Sequence, residues 1–348
     1  MRIAIGQFRE LDKEMLLFAK QLGIDSMQMN IPQIPGEKIW EYKDLLALKE
    51  RFKEYGLKLE MIENVPTRFY EKVMLGLNGR DEQVENYQNT IRMLGKLGIK
   101  IFGHHFNPTF VWRTSLEAEG RGGSKVTAFD EGKAKDAPNA LNEIMRKMEA
   151  ESTIEKLNKK SEKGEQNVWL TKEELFANYK YFVDAIIPVA EEAGVQLALH
   201  PSDPPVDVLS GVEEIFNSPE SLLKILEITD SKALGANLCL GTCSEMKGGA
   251  DNVRKLIRAF GEQKRLFCVH FRDVQGSLPS FKECFLGEGN YNPAEMMLEL
   301  EKVNYDGLLL IDHVPKMAND SLYGHRARAN QIGYLQGLIN MMEYLFKK

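Results

Sequence analysis

The chain has 348 residues, 43% of them hydrophobic, which suffices for one large core or two smaller ones. A formal net charge of -6 and the lack of a long basic run argue against nucleic acid as a partner. The apolar runs are short and strand-like, so no membrane span is expected.

The opening residues, MRIAIGQF, read directly as a strand and lack a signal-peptide pattern. Cys239, Cys243, Cys268 and Cys284 form no CxxC pair, so free thiols and a cytoplasmic location are expected. Apolar runs occur at 2–5, 25–30, 59–63, 100–105, 196–200, 234–239, 266–271 and 307–312. Helix-forming stretches lie between them, near 11–22, 42–55, 80–98, 171–193, 218–229, 250–261 and 293–303, and a closing helix is expected near 325–346. This alternation predicts an α/β protein built from βαβ units, and eight strands with eight helices fit a single (β/α)8 barrel, a TIM barrel, over 1–348. A doubly wound sheet is the alternative, weakened because no GxGxxG follows the first strand.

One interval breaks the rhythm. About sixty extra residues separate the fourth and fifth strands, against the usual short βα loop. This insertion, 115–170, holds GRGGSK (120–125) and a charged stretch at 142–160 with an apolar helical stripe of Ile144, Met145, Met148, Ile154 and Leu157. A helical insertion is therefore expected. It is either a surface excursion, an oligomer contact or a lid; its place on a βα loop puts it on the face where barrels keep their active sites.

Four chemistry-bearing residues close four successive apolar runs: His200 after QLAL, Cys239 after LGANL, His270 after RLFCV and Asp312 after GLLLI. Singly, each has an ordinary explanation as a backbone hydrogen bonder, a small hydrophobe or a helix cap. Together they stand at equivalent ends of strands five to eight, which a barrel brings around one mouth. Two imidazoles, a thiolate and a carboxylate make a donor set for a divalent metal, leaving Mn2+, Fe2+, Co2+, Ni2+ and Zn2+ open and arguing against Mg2+. Cys243, deeper in a loop, and Cys284, in a polar stretch, are the weaker thiol candidates.

Longer motifs carry a resemblance. IPGEKIW (34–40), GLKLEMIENVP (56–66), FNPTFVWRT (106–114), LALHPSDPP (197–205), NLCLGT (237–242), VHFRD (269–273) and FKECFLGEGN (281–290) are similar to the mannonate dehydratases, (β/α)8 barrels of the xylose isomerase-like group. The resemblance spans most of the chain. It implies a hydro-lyase that converts D-mannonate to 2-keto-3-deoxy-D-gluconate by removing the C2 proton and the C3 hydroxyl. It implies a divalent metal, Mn2+ or Fe2+ first, on His200, Cys239, His270 and Asp312. It also implies a catalytic acid/base role for His313 and, by a loose match, a catalytic Tyr323.

The remaining assignments are expectations of chemistry. Arg113 and Arg272 suit a substrate carboxylate because a guanidinium pairs with it bidentately, and Arg272 joins the catalytic set through its place beside His270. Asn107 and Trp112 are candidates to line the sugar site. Asp203 either binds hydroxyls or turns its proline-rich loop. The partner is a small-molecule sugar acid, and a homodimer is compatible with the chain. There are departures from the family: LIDHV (310–314) has Leu310 and Val314 where an arginine and a glycine are usual, Leu286 replaces a histidine, and His104 and His105 stand where Cys-Tyr is more common. The missing arginine keeps a sugar isomerase or epimerase on the same barrel as the alternative.

Overall fold

The computed structural model describes residues 1–135, 140–141 and 168–346. Fourteen strands are found among them: β1 (Arg2–Ile5), β2 (Ser26–Asn30), β3 (Lys58–Glu63), β4 (Ile101–His104), β5 (Ser115–Glu119), β6 (Lys125–Asp130), β7 (Gln196–Leu199), β8 (Val208–Leu209), β9 (Val212–Glu213), β10 (Leu234–Cys239), β11 (Leu266–His270), β12 (Asp273–Ser277), β13 (Ser280–Cys284) and β14 (Leu308–Leu310). Eight of these close a parallel barrel in the order β1-β14-β11-β10-β7-β4-β3-β2. Helices Lys13–Gln21, Tyr42–Glu54, Arg80–Leu97, Lys172–Ala193, Pro219–Ile228, Ala250–Glu262, Pro293–Lys302 and His325–Phe346 alternate with them. The barrel and its helices match the alternation expected from the sequence to within a few residues at each end.

The barrel strands are largely buried, and apolar side chains make up most of the interior below the mouth. Ala4, Met61, Ile101, Ala198, Phe267, Cys268, Leu308 and Leu310 fill the interior. The outer faces meet the helices. Helix Lys172–Ala193 starts with a reciprocal capping box between Thr171 and Glu174 and stops at Gly194, whose φ of 66° is the left-handed conformation glycine adopts freely. It packs Tyr179 and Phe182 against an aromatic layer behind β4, where Tyr87 lies 5.0 Å from Phe102 and 4.8 Å from Phe182 between ring centroids. His104 belongs to this layer: its ring stacks on Tyr179, with Nε2 3.3 Å from the phenol oxygen. Burial pushes its pKa down to about 3, so it sits there as a neutral ring.

Part of the expected helical insertion is instead a β-hairpin. Strands β5 and β6 are joined through the glycine turn at 120–123, where Gly122 and Gly123 have φ of 62° and 78°. They extend an antiparallel sheet with β13 and β12, which comes from the loop after β11. Both segments leave the carboxyl ends of barrel strands, so the sheet lies on the mouth side of the barrel. Trp112, Phe129, Val206, Leu209, Val274 and Phe281 form its own small core. Pairing between β6 and β13 spans over a hundred residues of sequence, which is why local pattern did not reveal it. The helical stretch at 142–160 lies outside the described residues. No described helix is long and apolar enough to cross a membrane.

Glu214 ties two mouth loops together. It accepts hydrogen bonds from Thr109 Oγ1 at 2.6 Å, after β4, and from Ser202 Oγ at 2.8 Å, after β7. Burial raises its carboxyl from the usual 4.5 to about 7, outweighing the two hydroxyl donors. A carboxyl raised on folding stabilises fully below its unfolded pKa, and that contribution is lost as pH rises through its folded pKa. We predict that stability falls between pH 4.5 and about 7, by up to roughly 3 kcal/mol for a shift of this size. Denaturant midpoints for Glu214→Gln should show a flatter pH profile across that window. Parallel profiles for the two proteins would show that Glu214 is ionised throughout.

Candidate metal centre

The barrel register delivers the four strand-end residues to one point. Cys239 is the direct Cα partner of His270 across β10 and β11, and His270 is the partner of Leu310 across β11 and β14. His200 follows β7, and Asp312 stands two residues past β14, on the same side as Leu310 by the period of two. One ligand atom from each of His200, Cys239, His270 and Asp312 lies within 4.8 Å of the others.

The hydrogen bonds around these groups fit a cation. His200 Nδ1 sits 2.7 Å from the Pro201 carbonyl, so it carries the proton and Nε2 is left to coordinate. His270 Nε2 faces Glu63 Oε2 at 3.3 Å, which keeps a proton on that nitrogen. Its Nδ1 is buried without a hydrogen-bond partner among the described residues and faces Asp312 Oδ2 at 3.8 Å. A buried nitrogen is rarely orphaned, and here a metal would satisfy it. Burial raises the Cys239 thiol, but Arg272, His200 and His270 outweigh it and hold the sulfur well below its ordinary pKa, as a thiolate ligand requires. Cys243 and Cys284 are pushed the other way, chiefly by burial, which leaves Cys239 as the ionised sulfur of the site.

Arg272 links this cluster to the loops. Its Nη2 lies 3.4 Å from Cys239 Sγ, 2.7 Å from Thr242 Oγ1 and 3.0 Å from Asp203 Oδ2. Nη1 donates to Glu283 Oε1 at 2.9 Å, and Nε lies 3.5 Å from Asp312 Oδ2. A Cβ on Gly241 would come within 2.7 Å of that Nε, so the helix after β10 needs glycine there. Arg113 pairs bidentately with Asp203 at 2.6 and 2.9 Å and reaches Glu283 at 3.2 Å. Both guanidinium groups are buried and directed at protein carboxylates. Asp203 is thus an ion-pair partner as well as part of a turn. Glu245 lies 3.0 Å from Arg272 Nη1 yet off the hydrogen-bonding direction, and burial holds it well above the carboxylate range.

His313 stands at the edge of this network, one-third exposed, with Nδ1 2.6 Å from Glu283 Oε1 and Nε2 3.7 Å from Asp312 Oδ2. Burial lowers its pKa, but the Asp312 and Glu283 carboxylates outweigh this and raise it. Tyr323 is placed differently: its hydroxyl donates to the Gly6 carbonyl at 2.7 Å, at the end of β1, and its ring packs on Phe8 and Arg328. Asn107 and Trp112 are buried, Trp112 within the small core under the cap sheet and its backbone N–H on the Asp203 carbonyl at 3.2 Å. Leu310 is part of the barrel interior, where its side chain lies against Gly6.

Sequence reasoning missed the other half of the mouth. Glu63 ends β3 and accepts from Gln7 at 2.9 Å, Gln28 at 2.6 Å and Asn237 at 3.1 Å. Burial opposes its charge, but His270 prevails and lowers its pKa. From Gln7 a relay runs outward across the strand ends. Gln7 Oε1 accepts from Asn30 Nδ2 at 2.7 Å, Asn30 Oδ1 from Asn64 Nδ2 at 3.2 Å, and Asn64 Oδ1 from His105 Nδ1 at 2.9 Å. The strand-end position that singled out His200 would have singled out Glu63 too. The amides carried no such signal, because asparagine after a strand is usually a turn residue.

The sequence profile of the family described as D-mannonate dehydratase (UxuA) matches residues 1–348. A mannonate dehydratase of Thermotoga neapolitana is 31% identical over 335 residues, covering 91% of this chain and 90% of that protein. Mannonate dehydratase 2 of Halalkalibacterium halodurans is 30% identical over 348 residues, covering 97% and 98%. The crystal structure of mannonate dehydratase from Streptococcus suis serotype 2 superposes with a TM-score of 0.85 at 27% identity, over 99% of this chain and 95% of that one. A xylose isomerase domain protein of Planctomyces limnophilus, at 15% identity and a TM-score of 0.58, shares the fold. With its full length matched by the family profile and by these relatives, the chain belongs to the D-mannonate dehydratase (UxuA) family.

Proposed function

We infer that the protein is a metal-dependent hydro-lyase that converts D-mannonate to 2-keto-3-deoxy-D-gluconate at the barrel mouth. The observation that carries this reading is the convergence of His200, Cys239, His270 and Asp312, with the orphaned His270 Nδ1 facing inward, in a chain matched end to end by the family. A bound divalent cation would withdraw charge from the acid's carboxylate and 2-hydroxyl and make the C2 proton more acidic. Mn2+ or Fe2+ suits the mixed N, S and O donors.

The chain's own groups supply the rest. His313 Nδ1 donates to Glu283 Oε1 in a 2.6 Å hydrogen bond, so Nε2 is the atom that exchanges a proton with substrate. Arg272 keeps Cys239 and Asp312 anionic and in register. Arg113 and Asp203 act from behind, fixing the β7 loop and the cap sheet over the site, while Asn107 and Trp112 shape its wall. Tyr323 holds the end of β1 and is placed to close the same rim. The cap sheet acts as the cover that excludes water from the mouth. A cytoplasmic location and a homodimer complete the proposal. The isomerase or epimerase alternative is not favoured, because whole-chain relatives at about 30% identity carry the dehydratase name.

Incubating metal-loaded protein with D-mannonate should yield a 2-keto-3-deoxy acid. No product from any aldonate, with interconversion of a ketose and an aldose, would overturn the reading. Cys239→Ser should lower retained metal by elemental analysis and cut turnover by more than about tenfold; full activity in metal-free protein would remove the cluster from catalysis. His313→Asn should keep its metal and lose at least ~100-fold in turnover. A variant that instead loses its metal would make His313 a support for Asp312.

A further inference from the structure

The mouth has two chemically different halves. The ends of β7, β10, β11 and β14 carry the metal ligands and the buried ions. The ends of β1 to β4 carry neutral groups: Gln7, Asn30, Asn64 and His105. Their hydrogen bonds all point the same way, from His105 to Asn64, to Asn30, to Gln7 and finally to the Glu63 carboxylate. Gln7 and Asn64 are held in left-handed backbone conformations, with φ of 63° and 61°. Such positions are unfavourable for a residue with a side chain and persist where the surroundings enforce them. Gly6 allows the first: a Cβ there would meet Gln28 Oε1 at 2.2 Å and Leu310 Cδ1 at 2.7 Å.

The polar order fixes what each group still offers. Each amide has two N–H groups, and one is directed along the relay. His105 donates through Nδ1 to Asn64, so its Nε2 is an acceptor; the Tyr70 hydroxyl beside it, at 3.2 Å, donates to the His105 carbonyl at 3.2 Å. Burial lowers its pKa to about 4, which keeps the ring neutral. Gln7, Asn30 and His105 are each partly exposed, and Phe110 flanks the His105 ring at 5.4 Å. The relay meets the metal cluster through Glu63, which accepts from Gln7 Nε2 at 2.9 Å and faces His270 Nε2 at 3.3 Å. No charged group stands in it beyond Glu63.

A rail of neutral donors and acceptors on one side of a metal matches a chain of hydroxyls and not a second anion. We propose that Gln7, Asn30, Asn64 and His105 read the distal hydroxyls of the sugar acid, with His105 the residue that sets preference for a six-carbon substrate over shorter acids. This rests on the sugar-acid reading above. The carboxylate end lies toward the metal ligands and the hydroxyl tail runs along the relay to His105. Glu63 polarises the relay from its far end, so the donors keep one orientation without rearranging when substrate enters. A site built to pair with hydroxyls discriminates against acids that lack them, since its polar groups are then left unpaired.

The test compares D-mannonate with L-erythronate, a four-carbon acid with the same groups and configuration at the reacting C2 and C3. His105→Phe keeps an aromatic ring beside Phe110 but removes both nitrogens. It should raise KM for D-mannonate roughly tenfold, the upper worth of a neutral hydrogen bond, with kcat little changed and metal content unchanged. L-erythronate should be unaffected, so the preference between the acids shrinks by the same factor. His105→Gln should restore part of it, and Asn30→Ala should reproduce the effect. Equal losses on both acids, loss of metal, or an unchanged preference would each overturn the proposal and leave the relay as a support for Glu63 and His270. Calorimetric binding of the two acids to metal-loaded wild type and His105→Phe gives the same comparison without turnover. If wild type dehydrates no acid yet binds D-mannonate more tightly than L-erythronate through His105, the rail stands and the dehydratase reading falls.

Discussion

The guanidinium of Arg272 is the group on which this site depends. It is buried, and within 3.5 Å it touches two of the proposed metal ligands, Cys239 and Asp312, and two carboxylates of the mouth, Asp203 and Glu283. A planar cation with five donors can meet several anions at once; a lysine cannot. Burying so many charges is tolerable only because they are paired, and removing one partner from such a cluster typically costs about 3–5 kcal/mol. The same contacts have a chemical result, because the positive charge next to Cys239 favours the thiolate that a metal needs. Structure and cofactor chemistry therefore share one residue.

From that centre the charges are arranged in layers. Arg113 neutralises Asp203 and Glu283 from the outside and joins the cap sheet to the barrel. Glu283 in turn orients His313 at the rim. On the opposite side, Glu63 gathers amide donors and sets the proton on His270. The mouth is thus ionic where metal and carboxylate belong and neutral where hydroxyls belong. At the eighth strand Leu310 is packed in the barrel interior against Gly6. Arg113 and Arg272 are engaged with protein carboxylates.

Much of the barrel was legible because its signals are local. Each strand is a short apolar run, each helix has its own period, and the four ligands occupy the same place in their repeats. The parts that were not legible are long-range. The β6–β13 pairing joins segments from different loops, and nothing near Ser115–Glu119 or Lys125–Asp130 announces the partner. From the sequence Arg113 and Arg272 are candidates to hold a substrate carboxylate; nothing local shows that Asp203 and Glu283 pair with them. Asn30 and Asn64 look like turn residues, and only the closed barrel aligns them into one relay. His104 and His105 are adjacent in sequence yet serve different layers, the first stacked on Tyr179 and the second at the mouth.

The central claim is that the four strand-end ligands hold one divalent metal, with the Cys239 sulfur bonded to it. Titrating the metal-free protein with Co2+ while recording the near-ultraviolet spectrum tests this most directly. The account predicts a thiolate-to-cobalt charge-transfer band that saturates at one equivalent and is absent from Cys239→Ser. Binding with no such band, or no saturable binding at all, would contradict it.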